Sequence, residues 1–229
     1  MIIAEKIDKT FRQGTKVIHA VKDVSLRIDK GERVYIHGSS GAGKSTFMHV
    51  LGGLSQPASG TVTFHDKDIY GLPDAKRCQL RNRRFGFIFQ FYHLLPELNV
   101  LENVMLPGMI KGGERSGSIT SRAAGLLETV GMSGRLKHRP NQLSGGEAQR
   151  TAIARALMNS PEALFCDEPA GNLDSKMSGE IYDLIRGISE NNGMSVVVVS
   201  HQGLSKDFFH SSYVMKDGVL VSDLSGERV

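Results

Sequence analysis

The 229-residue sequence predicts an α/β fold on three observations. Gly38-Ser39-Ser40-Gly41-Ala42-Gly43-Lys44-Ser45 fits the phosphate-loop pattern G-x-x-x-x-G-K-[ST] and stands between a strand-like and a helix-like segment. Ala163-Leu164-Phe165-Cys166 and Ser195-Val196-Val197-Val198-Val199-Ser200 are strand-sized and largely apolar, as expected of parallel strands buried on both faces. Alternation in Val24-Ser25-Leu26-Arg27-Ile28 and in Thr61-Val62-Thr63-Phe64 adds a half-exposed antiparallel sheet near the N-terminus.

Taken in chain order, Arg33-Val34-Tyr35-Ile36-His37 is the strand that enters the phosphate loop. Phe47, Met48, Val50, Leu51 and Leu54 follow at helical spacing until Gly52 and Gly53 weaken the pattern. Such a loop aims backbone N–H groups and the positive end of a helix at phosphates. Lys44 is then placed to reach the β- and γ-phosphates, and the Ser45 hydroxyl to ligate Mg²⁺. A plain glycine-rich turn is the alternative, which the order strand, loop, Lys-Ser, helix disfavours. The apolar run Phe85-Gly86-Phe87-Ile88-Phe89 ends at Gln90, whose amide can touch both Mg²⁺ and an attacking water, although spacing alone is weak support for it. Lys111 to Ser118 is polar and glycine-rich and reads as a mobile loop.

Ser144, followed three residues later by Glu147, has the form of a capping box, and Ala152, Ile153, Ala156 and Leu157 continue at helical spacing. An ordinary helix cap is one reading; a second anion-binding helix end, with a serine hydroxyl and glycine N–H groups, is the other. Asp167 and Glu168 emerge from the Ala163 run, where open α/β sheets gather ligands. Asp167 suits the outer Mg²⁺ shell, and Glu168 can accept a proton from a water attacking the γ-phosphate. Two acids there could instead cap the next helix, but the phosphate loop favours catalysis. Ile181, Leu184, Ile185 and Ile188 mark an amphipathic helix before the Ser195 strand. His201 ends that strand and reads as a γ-phosphate contact, although an isolated His is usually packed or solvated.

From roughly Ile3 to Leu224 these ordered strings resemble the nucleotide-binding domain of the ABC-transporter family. On that resemblance Gly38 to Ser45 is the Walker A motif, with Thr46 completing the ATP-binding set. Gln90 is the Q-loop glutamine, Leu143-Ser144-Gly145-Gly146-Glu147 the signature, Leu164 to Glu168 Walker B, Asn172-Leu173-Asp174 the D-loop and His201 the switch histidine. The implied fold is a P-loop NTPase with a RecA-like core and an N-terminal antiparallel β subdomain (1–90 and 161–229). A helical lobe at about 91–160 carries the signature. The implied activity is Mg²⁺-dependent ATP hydrolysis. The resemblance also implies a head-to-tail homodimer on ATP binding, in which Ser144, Gly145, Gly146 and Glu147 of one protomer close over ATP on the other, with Asp174 at the dimer interface.

Within the family, Leu80-Arg81-Asn82, Phe87 to Pro96 and Leu101-Glu102-Asn103-Val104 are similar to the LolD, MacB and FtsE group, and Phe91-Tyr92-His93 most of all to its LolD branch. That likeness implies the ATPase subunit of a complex that powers lipoprotein release from the bacterial inner membrane through separate integral membrane permease subunits. A MacB-type efflux complex or an FtsE-type cell-division complex is the alternative. Several residues depart from the family's habit. Phe11 stands where a tyrosine commonly stacks on adenine, and the ring is retained. Ala148, Ala170 and Gln202 replace more polar residues, while Lys44, Asp167, Glu168 and His201 are all in place.

Composition agrees with this reading. A net charge of +4 is mild and interspersed, which suits acidic lipid or protein partners and makes no case for nucleic acid. No apolar run approaches the ~20 residues of a spanning helix, and the start lacks the pattern of a signal peptide. The two cysteines, Cys78 and Cys166, indicate neither a disulfide framework nor a metal cluster. The expected place is peripheral, at the cytoplasmic face of the inner membrane, with membrane contact only through partners.

Overall fold

The computed structural model describes residues 1–201 and 208–222; the Gln202 departure lies outside them. In chain order the elements are β1 (Ile2–Gln13), β2 (Lys16–Ile28), β3 (Arg33–His37), α1 (Lys44–Leu51), β4 (Ser59–Phe64), β5 (Lys67–Asp68), α2 (Asp74–Arg84) and β6 (Phe85–Phe89). They continue with α3 (Val100–Lys111), α4 (Ser116–Thr129), α5 (Gly145–Leu157), β7 (Ala163–Asp167), α6 (Ser175–Asn192), β8 (Ser195–Ser200), β9 (Ser211–Lys216) and β10 (Val219–Ser222). The described residues form two compact units, one from 1–78, 195–201 and 208–222, the other from Gln79–Met194.

In the first unit, β2, β1, β4 and β5 form an antiparallel sheet in that order. Val24, Leu26 and Ile28 are buried while Ser25 and Arg27 are exposed, so the period of two places one face on the core. The second sheet of this unit runs β10-β9-β3-β8, with β3 parallel to both β8 and β9. Every residue of β8 is buried, and so are the three central residues of β3, which is why neither alternates. Helix α1 buries Phe47, Met48, Val50 and Leu51 and ends at Gly52, while Leu54 beyond it is exposed.

In the second unit β6 and β7 pair in parallel. Phe165 of β7 meets Phe85 edge-on and stacks on Phe87, with centroids 5.3 and 5.4 Å away. The α3, α4 and α5 helices pack on one another, and α5 also packs on β6. Asn103 of α3 is fully buried and well satisfied: its amide nitrogen donates to the carbonyls of Leu95, Leu98 and Asn99, and its oxygen accepts from Leu95 N. Helix α6 turns Ile181, Tyr182, Ile185 and Ile188 inward.

The polar stretch Lys111 to Ser118 is less of a loop than its composition predicts. Lys111 ends α3, Ser116 starts α4, and only 112–115 lies between helices. Gly112 and Gly113 take φ 68° and 80° there, and Glu114 pairs with both Lys111 and Arg122, which ties the connection to its flanking helices. No helix among the described residues is long and apolar enough to cross a membrane.

Candidate functional site

The first unit builds the phosphate loop from close-packed backbone. At Gly38 (φ 148°) a Cβ would stand 2.1 Å from the Met215 carbonyl oxygen, and at Gly43 (φ 103°) 2.1 Å from that of Ala20. Glycine is therefore a steric requirement at both positions. Gly43 is the residue before α1, so the loop feeds straight into the helix start, where the first N–H groups have no partner within the helix. Lys44 is only 6% exposed, and its Nζ donates to the carbonyls of Gly38 at 2.9 Å and Ser39 at 2.8 Å, arching back over the loop it follows. Ser39, Ser40 and Gly41 are exposed, while Ala42 is buried and Ser45 and Thr46 are half-buried.

His201 joins this loop through strand register. His37 and Ser200 are paired residues of β3 and β8, so Gly38 and His201 leave neighbouring parallel strands at the same level. His201 is exposed. Phe11, on β1 opposite Ile18, is 45% exposed, with the Lys9 ammonium 5.1 Å from its ring centre. It offers an accessible aromatic face.

The second unit repeats the device of register. Phe89 and Asp167 are paired, so Gln90 and Glu168 leave β6 and β7 side by side. A Cβ on Gly171 would lie 3.1 Å from both Gln90 Nε2 and Glu168 Oε2, which places amide and carboxylate around a single point. Glu168 has φ 46°, a left-handed conformation unusual for a side-chain-bearing residue, and Gly171 N donates to its carbonyl at 3.0 Å. Asn172 and Gln90 hold each other: Gln90 Nε2 donates to Asn172 Oδ1 at 3.3 Å, and Asn172 Nδ2 donates to the Gln90 carbonyl at 3.0 Å. Asp167 and Glu168 are both half-buried at the end of β7.

Ser144 and Glu147 form the predicted capping box at the start of α5. Ser144 Oγ accepts from Glu147 N at 3.3 Å, and Glu147 Oε2 accepts from Ser144 N at 2.8 Å. Arg135 Nε donates to Glu147 Oε1 at 2.7 Å. The Ser144 backbone bond and the Arg135 guanidinium hold the Glu147 carboxyl down to about 2. A Cβ on Gly145 would meet the Tyr92 hydroxyl at 3.0 Å, and one on Gly146 the Met177 sulfur at the same distance, so the two glycines keep the helix start close to its neighbours. Asp174 caps α6, its Oδ1 accepting from Met177 N at 2.9 Å.

Two polar residues of this unit are invisible to motif reading. Arg155 donates through its two terminal nitrogens to the carbonyls of His93 at 2.5 Å and Tyr92 at 2.7 Å. Tyr92 and His93 have φ 59° and 48°, so the arginine clamps a turn made of two successive left-handed residues directly after Gln90. Burial pulls the guanidinium below its usual range. Gln149 is fully buried and donates to the Pro169 carbonyl. A polar Gln149 inside the stripe that continues through Ala152 and Ile153 is a signal of its own, because a buried amide needs a partner.

The chain matches the ABC transporter family over residues 21–171. It is 48% identical over 201 residues to the lipoprotein-releasing system ATP-binding protein LolD of Syntrophotalea carbinolica, covering 88% of each chain. It is 42% identical to the LolD protein of Shewanella frigidimarina, over 96% of this chain and 92% of that one. Among solved structures it is similar to the MJ0796 ATP-binding cassette, a dimer in a post-hydrolysis state bound to ADP and Pi. The TM-score is 0.90 and the identity 37%, over 99% of this chain and 100% of that chain.

Proposed function

The chain belongs to the ABC transporter family, and from that premise we propose that it is the ATP-hydrolysing subunit of a complex releasing lipoproteins from the bacterial inner membrane through separate integral membrane permeases. Its place is then peripheral, on the cytoplasmic face. The observation that carries hydrolysis is the convergence of Gln90 Nε2 and Glu168 Oε2 on the space beside Gly171. The lipoprotein assignment rests on likeness to LolD proteins across most of the chain.

In this reading Phe11 stacks on adenine, and the 38–46 loop wraps the phosphates. Gly38, Ser39, Ser40, Gly41, Ala42 and Gly43 contribute backbone, while Lys44 exchanges its loop carbonyls for phosphate oxygens. The Ser45 hydroxyl, the Asp167 carboxylate and the Gln90 amide oxygen are hard oxygen donors of the kind Mg²⁺ takes. With Gln90 Nε2 donating to Asn172, the other amide atom, Oε1, is the one that would be offered to the metal. Held by such groups, Mg²⁺ would supply neutralisation of phosphate charge. Glu168 takes the proton of the attacking water, which Gln90 and His201 orient. Ser144 commits its lone pair to Glu147 N and keeps its own proton for a phosphate oxygen of the opposite site, beside Gly145, Gly146 and Glu147. ATP binding thus closes a homodimer, with Asp174 at its interface.

Affinity capture of tagged Glu168→Gln protein from its native membranes in ATP, followed by identification of stoichiometric partners, tests the assignment. Recovery of lipoprotein-release permeases is the expected outcome. A cell-wall regulatory permease or a single exporter-like permease in their place would overturn the lipoprotein part and leave the ATPase standing.

A further inference from the structure

Gln149 lies in the second turn of α5 with 0% exposure. Its Nε2 donates to the Pro169 carbonyl, but its Oε1 has no hydrogen-bond partner among the described residues. An unmet buried acceptor is destabilising, so the amide is a poor choice for stability and its use lies in the donor half. Proline has no N–H, which leaves the carbonyl as the main-chain handle on residue 169. The residue before it is Glu168, in the left-handed conformation at φ 46°. The following carbonyl, of Ala170, is taken by Leu173 N at 3.1 Å and Ser178 Oγ at 3.3 Å. The turn after β7 is therefore pinned bond by bond, and the Pro169 bond joins it to the helix that Ser144 caps.

We propose that Gln149 is a positioning residue for hydrolysis: its grip on the Pro169 carbonyl keeps the Glu168 carboxylate beside the Gln90 amide and ties that geometry to the helix that begins at the signature serine. The inference rests on Glu168 as the base. Movement of α5 when Ser144 engages phosphate is transmitted to Glu168 through one hydrogen bond, so nucleotide binding and base alignment become separable by substitution.

The test measures steady-state ATP hydrolysis and thermal midpoints for the full chain carrying Gln149→Leu, Gln149→Glu or Glu168→Gln. For Gln149→Leu, kcat is expected to fall about 10–100-fold, the usual cost of an ångström-scale misplacement, with an unaltered thermal midpoint. KM for ATP should stay within about twofold, because the residue does not bind the ground state. In Gln149→Glu the buried carboxyl can donate to Pro169 only when protonated. Its kcat relative to the unsubstituted chain should therefore rise as pH falls, with midpoints at each pH separating this from unfolding. An unchanged kcat in folded Gln149→Leu overturns the proposal, as does a pH-independent ratio for Gln149→Glu, and the latter decides alone if Gln149→Leu does not fold. Normal turnover in Glu168→Gln removes the base assignment itself, whereas slow turnover there beside normal turnover in Gln149→Leu removes only the role of Gln149.

Discussion

Gly43 stands against the Ala20 carbonyl and Glu168 turns left-handed after β7, so the phosphate loop and the proposed base are both held by backbone constraints on single residues. A methyl group at position 43 would sit 2.1 Å from the Ala20 oxygen at φ 103°. Gly43→Ala should lower unfolding free energy by at least about 1–3 kcal/mol in denaturant titrations, together with nucleotide binding, because the loop cannot keep its path. Glu168→Gln removes the proton acceptor and little volume. Turnover should drop about 10²–10⁴-fold with ATP affinity retained, as single-turnover and equilibrium binding measurements would separate. At this scale residue type was legible wherever a motif names it. Gln149 and Arg155 were not, nor was the pairing of Asn172 with Gln90, since the partners lie 20, 62 and 82 residues away and only folding brings them together.

At the scale of elements, the α5 cap links charge to stability. The Glu147 carboxyl is held at about 2 against an ordinary 4.5. A group depressed in the folded state contributes stability above its unfolded pKa and loses it as pH falls through the folded value. The advantage of the unsubstituted chain over Glu147→Gln in thermal midpoint should therefore be full above about pH 5 and shrink toward pH 2, a window set by the unfolded and folded carboxyl values. Salt should weaken the part due to Arg135, whose side chain is 47% exposed. Element types were readable where periodicity is strong, as in β2, α1 and β8, and the 111–118 stretch shows where reading stops: composition sees a loop, while the structure leaves only 112–115 between helices, with Glu114 paired to Lys111 and Arg122.

For the whole molecule, the proposed cycle needs a second copy, because a phosphate loop and a signature helix end are two anion sites for one nucleotide. Glu168→Gln protein should sediment as a dimer in ATP and as a monomer without it. Adding Ser144→Ala should abolish the dimer while monomer ATP binding persists. Equal loss of both would mean that Ser144 acts within its own chain.

The sequence by itself determined the fold class, the phosphate loop, the family likeness and the chemical types at the proposed site, because each is written in residues close together in the chain. Tertiary structure decided which atoms meet. Strand register sets Gln90 beside Glu168 and His201 beside the phosphate loop, and side chains from α5 reach the turns that follow β6 and β7. Those contacts depend on pairing and packing between segments far apart in the chain, and local pattern carries no record of that distance.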